Sequence, residues 1–241
     1  MGVGGRGIAA EEGAAVALYM RAAKAGSARG LAALAWCQRF GRGCDKDEVA
    51  ARISYRQAGE EGLAAGWYEL GNMQRDGSGG EVDVGAALES FQRAATEFYH
   101  PAEVEIGLAY AEGRGVKEDP TEAIRWFTKA AEGGNARGQA HLGWAYEEGN
   151  GVDADGSAAL HWYLKSAEQG NLWAKLHVGM CYHEGIGTEV NMTEAVAWFR
   201  LAAEAGDAEA QDLLGMCYDY GDGVEESPEE ALKWFRLAVA Q

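Results

Sequence analysis

The chain is poor in proline and cysteine, with three prolines and four cysteines in 241 residues. Cys37, Cys44, Cys181 and Cys217 are too few for a disulfide scaffold and fit a reduced compartment, where thiols act as small hydrophobes. No apolar run approaches the roughly 18 residues a membrane-spanning helix needs, so no direct membrane insertion is expected. The first residues have no apolar stretch behind a basic one and do not read as a secretory signal. Gly2 is followed by Arg6 where a myristoylation signal would have Ser or Thr. These absences lean toward a cytoplasmic location, with the endoplasmic reticulum lumen kept open should the chain be a fragment. Basic residues are scarce as well: 21 against 38 acidic, a net charge of −17. Phosphate binding needs clustered Lys and Arg, so nucleic acid is excluded as a partner. Disorder is excluded by an apolar content of 47% with 10% aromatics. Against three prolines stand 35 glycines, which suggests glycine used as punctuation between helices.

Those glycines are periodic. The segment NARGQAHLGWAYEEGNGVDADGSAALHWYLKSAEQG, beginning at Asn135, recurs from Asn171 and again from Asp207, 36 residues apart each time. Trp126, Trp162, Trp198 and Trp234 keep that spacing, as do Tyr110, Tyr146, Tyr182 and Tyr218. Gly71, Gly107, Gly143, Gly179 and Gly215 share a phase, with Ala35 in the first repeat. Two further phases run from Gly41 to Gly221 and from Gly43 to Gly223, and an alanine phase runs from Ala15 to Ala231. The chain divides into repeats 27–62, 63–98, 99–134, 135–170, 171–206 and 207–241, preceded by an unpaired second helix over 10–26, all in one domain.

Each unit reads as two helices. In the fourth repeat they cover roughly 135–148 and 156–169, with apolar residues at helical spacing. Gly149 and Gly151 end the first and shape the turn. Asp119, Asp155, Asn191 and Ser227 are placed to cap second helices, and Ser27, Asn135, Asn171 and Asp207 to cap first ones. Asp119-Pro-Thr-Glu122 and Ser227-Pro-Glu-Glu230 read as capping boxes. Gly143 and its equivalents lie inside a helix, at a cost of about 1 kcal/mol each relative to alanine. A close helix crossing would compensate, with Ala159 and Ser166 as facing small residues and Tyr146 and Trp162 beside them. One helix pair cannot bury such a face, so neighbouring pairs must stack. The expected fold is all-α: a right-handed α-solenoid of 36-residue helix-turn-helix repeats, about 13 helices.

The pattern A-x-x-x-L-G-x-x-Y-x-x-G-x-G-V followed by D-x-x-x-A-x-x-W-x-x-K-A-A-E-x-G resembles the Sel-one-like repeat, a relative of the tetratricopeptide repeat. The resemblance covers essentially the whole chain and is strongest from about Tyr99. In the first two repeats Gln38 and Gln74 replace the tyrosine, and Ser54 and Ser90 the tryptophan; these units should pack less well or be specialised. The resemblance implies a protein-binding adaptor or scaffold and names no partner.

In related solenoids the first helix of each pair lines the concave surface. Transferred here, that geometry places Trp36, Arg39 and Phe40 of the first repeat and Tyr68 and Arg75 of the second in a partner-binding groove. It adds Arg137, Trp144 and Glu147 of the fourth, Trp173, Met180, His183 and Glu184 of the fifth, and Met216, Asp219 and Tyr220 of the sixth. These positions vary while their packing neighbours do not. Trp36, Trp144 and Trp173 are off the packing phase, and Trp and Arg are common interface hot spots. Residues 1–62 carry nine basic and seven acidic side chains, and residues 63–241 twelve and 31. The C-terminal groove therefore suits a basic or amphipathic peptide, although most of those carboxylates read as solvating surface.

Catalytic motifs are absent: no Walker A loop, no H-E-x-x-H, and G-x-G segments that follow helices rather than strands. No catalytic residue and no cofactor are expected. Cys37, Cys181 and Cys217 share one phase and read as packing sites rather than metal ligands. His141, His161 and His177 suggest no cluster. Asn191-Met-Thr193 matches a glycosylation sequon but reads as a helix cap. Because both ends of the array look uncapped, self-association through them is a further expectation. The reading is a non-catalytic adaptor. Its alternatives are an accessory repeat domain of a larger enzyme or of a degradation or signalling complex, and a structural spacer without its own ligand.

Overall fold

The computed structural model describes the backbone of residues 3–240 and the side chains of residues 11–240. Among the described residues there are 13 helices and no strand. They are α1 (Val3–Lys24), α2 (Ala28–Phe40), α3 (Glu48–Glu60), α4 (Ala64–Asp76), α5 (Val84–Thr96), α6 (His100–Glu112), α7 (Pro120–Glu132), α8 (Ala136–Glu148), α9 (Gly156–Glu168), α10 (Leu172–Glu184), α11 (Met192–Ala203), α12 (Ala208–Tyr220) and α13 (Pro228–Val239). The all-α solenoid of two-helix repeats is thus the fold. α1 starts at Val3 rather than near residue 10.

Local chemistry sets the ends. Ser27, Asn135, Asn171 and Asp207 accept the N-terminal amides of α2, α8, α10 and α12. Asp119, Asp155, Asn191 and Ser227 do the same for α7, α9, α11 and α13. Each bond satisfies an amide that the first turn leaves open. The Glu122 and Glu230 carboxylates pair with Arg125 and Lys233, so only the N-cap half of each expected capping box carries a cap bond. First helices end on a left-handed glycine, Gly41 to Gly221. The second glycine of the turn has a separate role. A Cβ on Gly79 would lie 2.4 Å from the Glu48 carbonyl, and on Gly223 2.3 Å from that of Met192. Only glycine lets each turn sit on the start of the preceding repeat's second helix.

The chain divides into two compact units, residues 1–118 and 119–241. In the first, α1 to α6 pack each on the next; in the second, α7 to α13 do so. The first unit's core includes Ala35, Ala51, Tyr55, Leu70 and Met73. The second has one cluster around Tyr163 and Val178 and another around Phe199 and Leu214.

The mid-helix glycines have a different cause from the expected small-residue crossing. A Cβ on Gly71 would lie 2.6 Å from the Phe91 ring, on Gly143 2.7 Å from Tyr163, on Gly179 2.5 Å from Phe199 and on Gly215 2.6 Å from Phe235. An aromatic ring 20 residues on, from the second helix of the same repeat, fills the space a side chain would take. Ala159 and Ser166 are buried as expected; the Ser166 hydroxyl donates to the Ala136 carbonyl at 2.7 Å, and at Gly179 the carbonyl of Ala195, the equivalent of Ala159, lies 3.4 Å from the added Cβ, behind the Phe199 ring. Trp162 lies 5.3 Å from the His161 ring, with the Lys165 ammonium 4.8 Å from its centroid.

The first two repeats are not loosely packed where they depart from the pattern. Ser54 donates to Gln38 at 2.9 Å, and Ser90 to Gln74 at 2.7 Å. Both members of each aromatic position have changed together into a hydrogen-bonded polar pair, which is how a core tolerates polar atoms.

Candidate interaction surface

In the second unit the first helices α8, α10 and α12 carry the predicted residues. Trp173 on α10 is 38% exposed. Its ring lies 4.0 Å from His177, 5.7 Å from Tyr163 and 6.3 Å from His141, centroid to centroid. His141 in turn stacks on Phe127 at 4.9 Å. Below Trp173, the Tyr163 hydroxyl donates to Glu147 at 2.5 Å, and His177 Nδ1 lies 3.4 Å from the same carboxylate oxygen. His177 Nδ1 is buried without an aligned hydrogen bond. The neighbouring imidazole and the Tyr163 hydroxyl hold Glu147 below the usual carboxylate range, against the opposing effect of burial. Burial, reinforced by Glu147, pushes the Tyr163 phenol upward. The Cys181 thiol is pushed up to about 12 by burial, then by Glu147 and Glu184, which fits a packing residue and not a nucleophile.

Trp144 is half-buried against the cluster around Tyr163, and Met180 against the one around Leu214. His183 faces Phe199 at 6.4 Å. Arg137, Glu184, Met216, Asp219 and Tyr220 are exposed, Tyr220 at 71%. This face therefore offers exposed aromatic and sulfur surface beside carboxylates.

The first unit presents a different version. The Trp36 and Phe40 rings lie 5.5 Å apart and both are exposed. Arg39 lies 5.2 Å over Phe40 and reaches Glu69 of the next repeat at 3.0 Å. Arg75 reaches Glu105 of the following repeat at 2.7 Å and its neighbour Asp76 at 2.9 Å. Tyr68 is half-buried between Phe91 and Tyr99. Arg39–Glu69, Arg75–Glu105 and Glu147–His177 join equivalent positions 30 residues apart, so these bridges tie successive first helices together.

His141, His177 and Tyr163 were not expected here. The two histidines stand one 36-residue period apart, and the structure sets both rings against Trp173. The repeat spacing was the available signal. No group of three or more His, Cys, Asp or Glu side chains is arranged to hold a metal among the described residues. No described helix is long and apolar enough to cross a membrane.

Stacked two-helix repeats with a variable first-helix face define a helical-repeat protein. The Sel1 repeat model matches residues 28–63, 67–97, 100–135, 136–171, 174–207 and 208–241. The chain belongs to the Sel1 repeat family, whose members are generally protein-interaction scaffolds and generally non-catalytic. It is similar to a protective antigen of uropathogenic Escherichia coli strains displaying an SLR fold (TM-score 0.89, 34% identity, 94% of this chain covered). The chain spans about half that antigen's length, 48%. A Sel1 repeat protein of Oxalobacter formigenes is similar at TM-score 0.79 and 26% identity, covering 93% of this chain and 96% of that one. An immunity protein of Pseudomonas aeruginosa shares the fold at TM-score 0.52 and 20% identity, with 79% of this chain and 73% of that one covered. No functionally curated protein matches in sequence.

Proposed function

We propose that the chain is a non-catalytic adaptor that binds a basic, amphipathic protein segment along the first helices α8, α10 and α12. The observation that carries this is the exposure of Trp173, Met216 and Tyr220 beside Glu184 and Asp219, which are also exposed. Apolar anchors rimmed by charge are what an interface with an amphipathic segment uses. The carboxylates steer a cationic partner and set its salt dependence. Trp144 and Glu147 are more deeply placed and shape the floor.

The test is an anisotropy titration of the chain with a labelled helical peptide bearing leucine and lysine on one face. Met216→Ser/Tyr220→Ser alters only exposed side chains and should weaken binding at least about tenfold. Added salt should weaken it as well. Binding that ignores both the substitutions and the salt sinks this reading.

A further inference from the structure

The first complete repeat carries a second helix, α3, whose polarity is inverted. Arg52 occupies the phase that Leu88, Ile124, Leu160, Val196 and Leu232 hold elsewhere. One position on, Ile53 stands where other repeats have Glu89, Arg125, His161, Ala197 and Lys233. Val49 stands where they have Gly85, Thr121, Ser157, Thr193 and Glu229. A position where Leu88, Leu160 and Val196 are buried is thus taken by a guanidinium, and apolar side chains face out: Val49 is 59% exposed and Ile53 56%.

Arg52 is held by its surroundings. Its Nη2 donates to the Met73 carbonyl at 2.8 Å and to that of Glu81 at 3.2 Å. Its Nη1 lies 2.4 Å from where a Cβ on Gly80 would be, so this turn is shaped around the guanidinium. Its Nε is buried with no partner. One helical turn on, Arg56 is exposed. Neither arginine has a carboxylate at ion-pair distance among the described residues, in a chain with 38 of them. Together with Val49 and Ile53, and with Gln57 and Glu60, they line an open groove of about 360 Å³ against the turn at Gly79.

We propose that this groove docks an acidic segment of a partner protein whose aliphatic side chains cover Val49 and Ile53 and whose carboxylates meet the exposed Arg56, over the positive charge of the inward-turned Arg52. Two aliphatics at i, i+4 beside two arginines at i, i+4 match a helix with leucine and glutamate at the same spacing. The unneutralised guanidiniums choose the sign of the partner. This surface lies on a second helix and is separate from the first-helix face of the second unit, so the two readings succeed or fail independently.

The experiment titrates the full chain against a labelled helical peptide carrying leucine and glutamate on one face. Ile53→Glu and Val49→Thr install residue types that other repeats carry at these positions, so the fold tolerates them; thermal melts of each variant check this. Each should weaken the peptide at least about tenfold, as should Arg56→Glu. Met216→Ser/Tyr220→Ser should leave it unchanged. No binding, or binding indifferent to Ile53→Glu, overturns the proposal. Sedimentation of the chain alone gives a second reading. A self-associated species lost on Ile53→Glu would assign the groove to another copy of the chain and also overturn it.

Discussion

The two units use one repeat frame with different chemistry. In the first, Gln38–Ser54 and Gln74–Ser90 are hydrogen-bonded pairs; in the second, the same phases hold Tyr146, Tyr182 and Tyr218 and Trp162, Trp198 and Trp234. The bridges between first helices differ as well. They are Arg–Glu in the first unit and a Glu–His contact with a tyrosine hydroxyl in the second. The lesson is that the frame accepts exchange of a whole pair. A lone polar group in a dry position is costly, whereas a matched pair is close to neutral.

The largest expected break in this comparison is Tyr163→Ala. It empties the ring site over Gly143 and strips the hydroxyl from Glu147, and should cost about 3–5 kcal/mol by urea unfolding. Gly143→Ala attacks the same contact from the other side by overpacking, for about 1–3 kcal/mol. If either is tolerated without loss, the ring does not explain the glycine.

The polar pairs give the next test. Ser90→Ala leaves the buried Gln74 carbonyl oxygen without its donor and should cost about 1–3 kcal/mol. Adding Gln74→Met should recover most of that loss. Additive costs in this double-mutant cycle would show that the pair is not a unit.

Acid distinguishes the units through Glu147. Its folded value is lowered, so its contribution is fully present above the unfolded carboxylate value of about 4.3 and is lost as pH falls through the lowered folded value. Glu147→Gln should remove that part of the acid sensitivity, on the order of 1 kcal/mol, when urea midpoints at neutral and acidic pH are compared. An unchanged acid profile would deny the carboxylate any special role.

The smallest effect is a gain. Phe98 is 79% exposed and holds φ +56° where Gly26, Gly62, Gly134, Gly170 and Gly206 stand in other repeats. A left-handed non-glycine residue costs about 1–2 kcal/mol, so Phe98→Gly should stabilise the chain by about 0.5–1 kcal/mol after the entropy glycine adds to the unfolded state. A lower melting temperature in this variant would show that the phenyl ring has its own packing role.

What the sequence determined by itself was local or periodic. Ser27, Asp119, Asn171 and the other caps could be read because a cap acts within three residues. The Gly41 and Gly43 phases revealed the turns, and the period revealed the repeat. The reason for Gly143 was not legible, since its partner lies 20 residues away on another helix and is chosen by the crossing. The Gln–Ser pairing, the gathering of His141 and His177 about Trp173, and the inward turn of Arg52 have the same origin. Each depends on which faces meet when helices stack, a relation set by register and distance in three dimensions rather than by the order of residues along one helix.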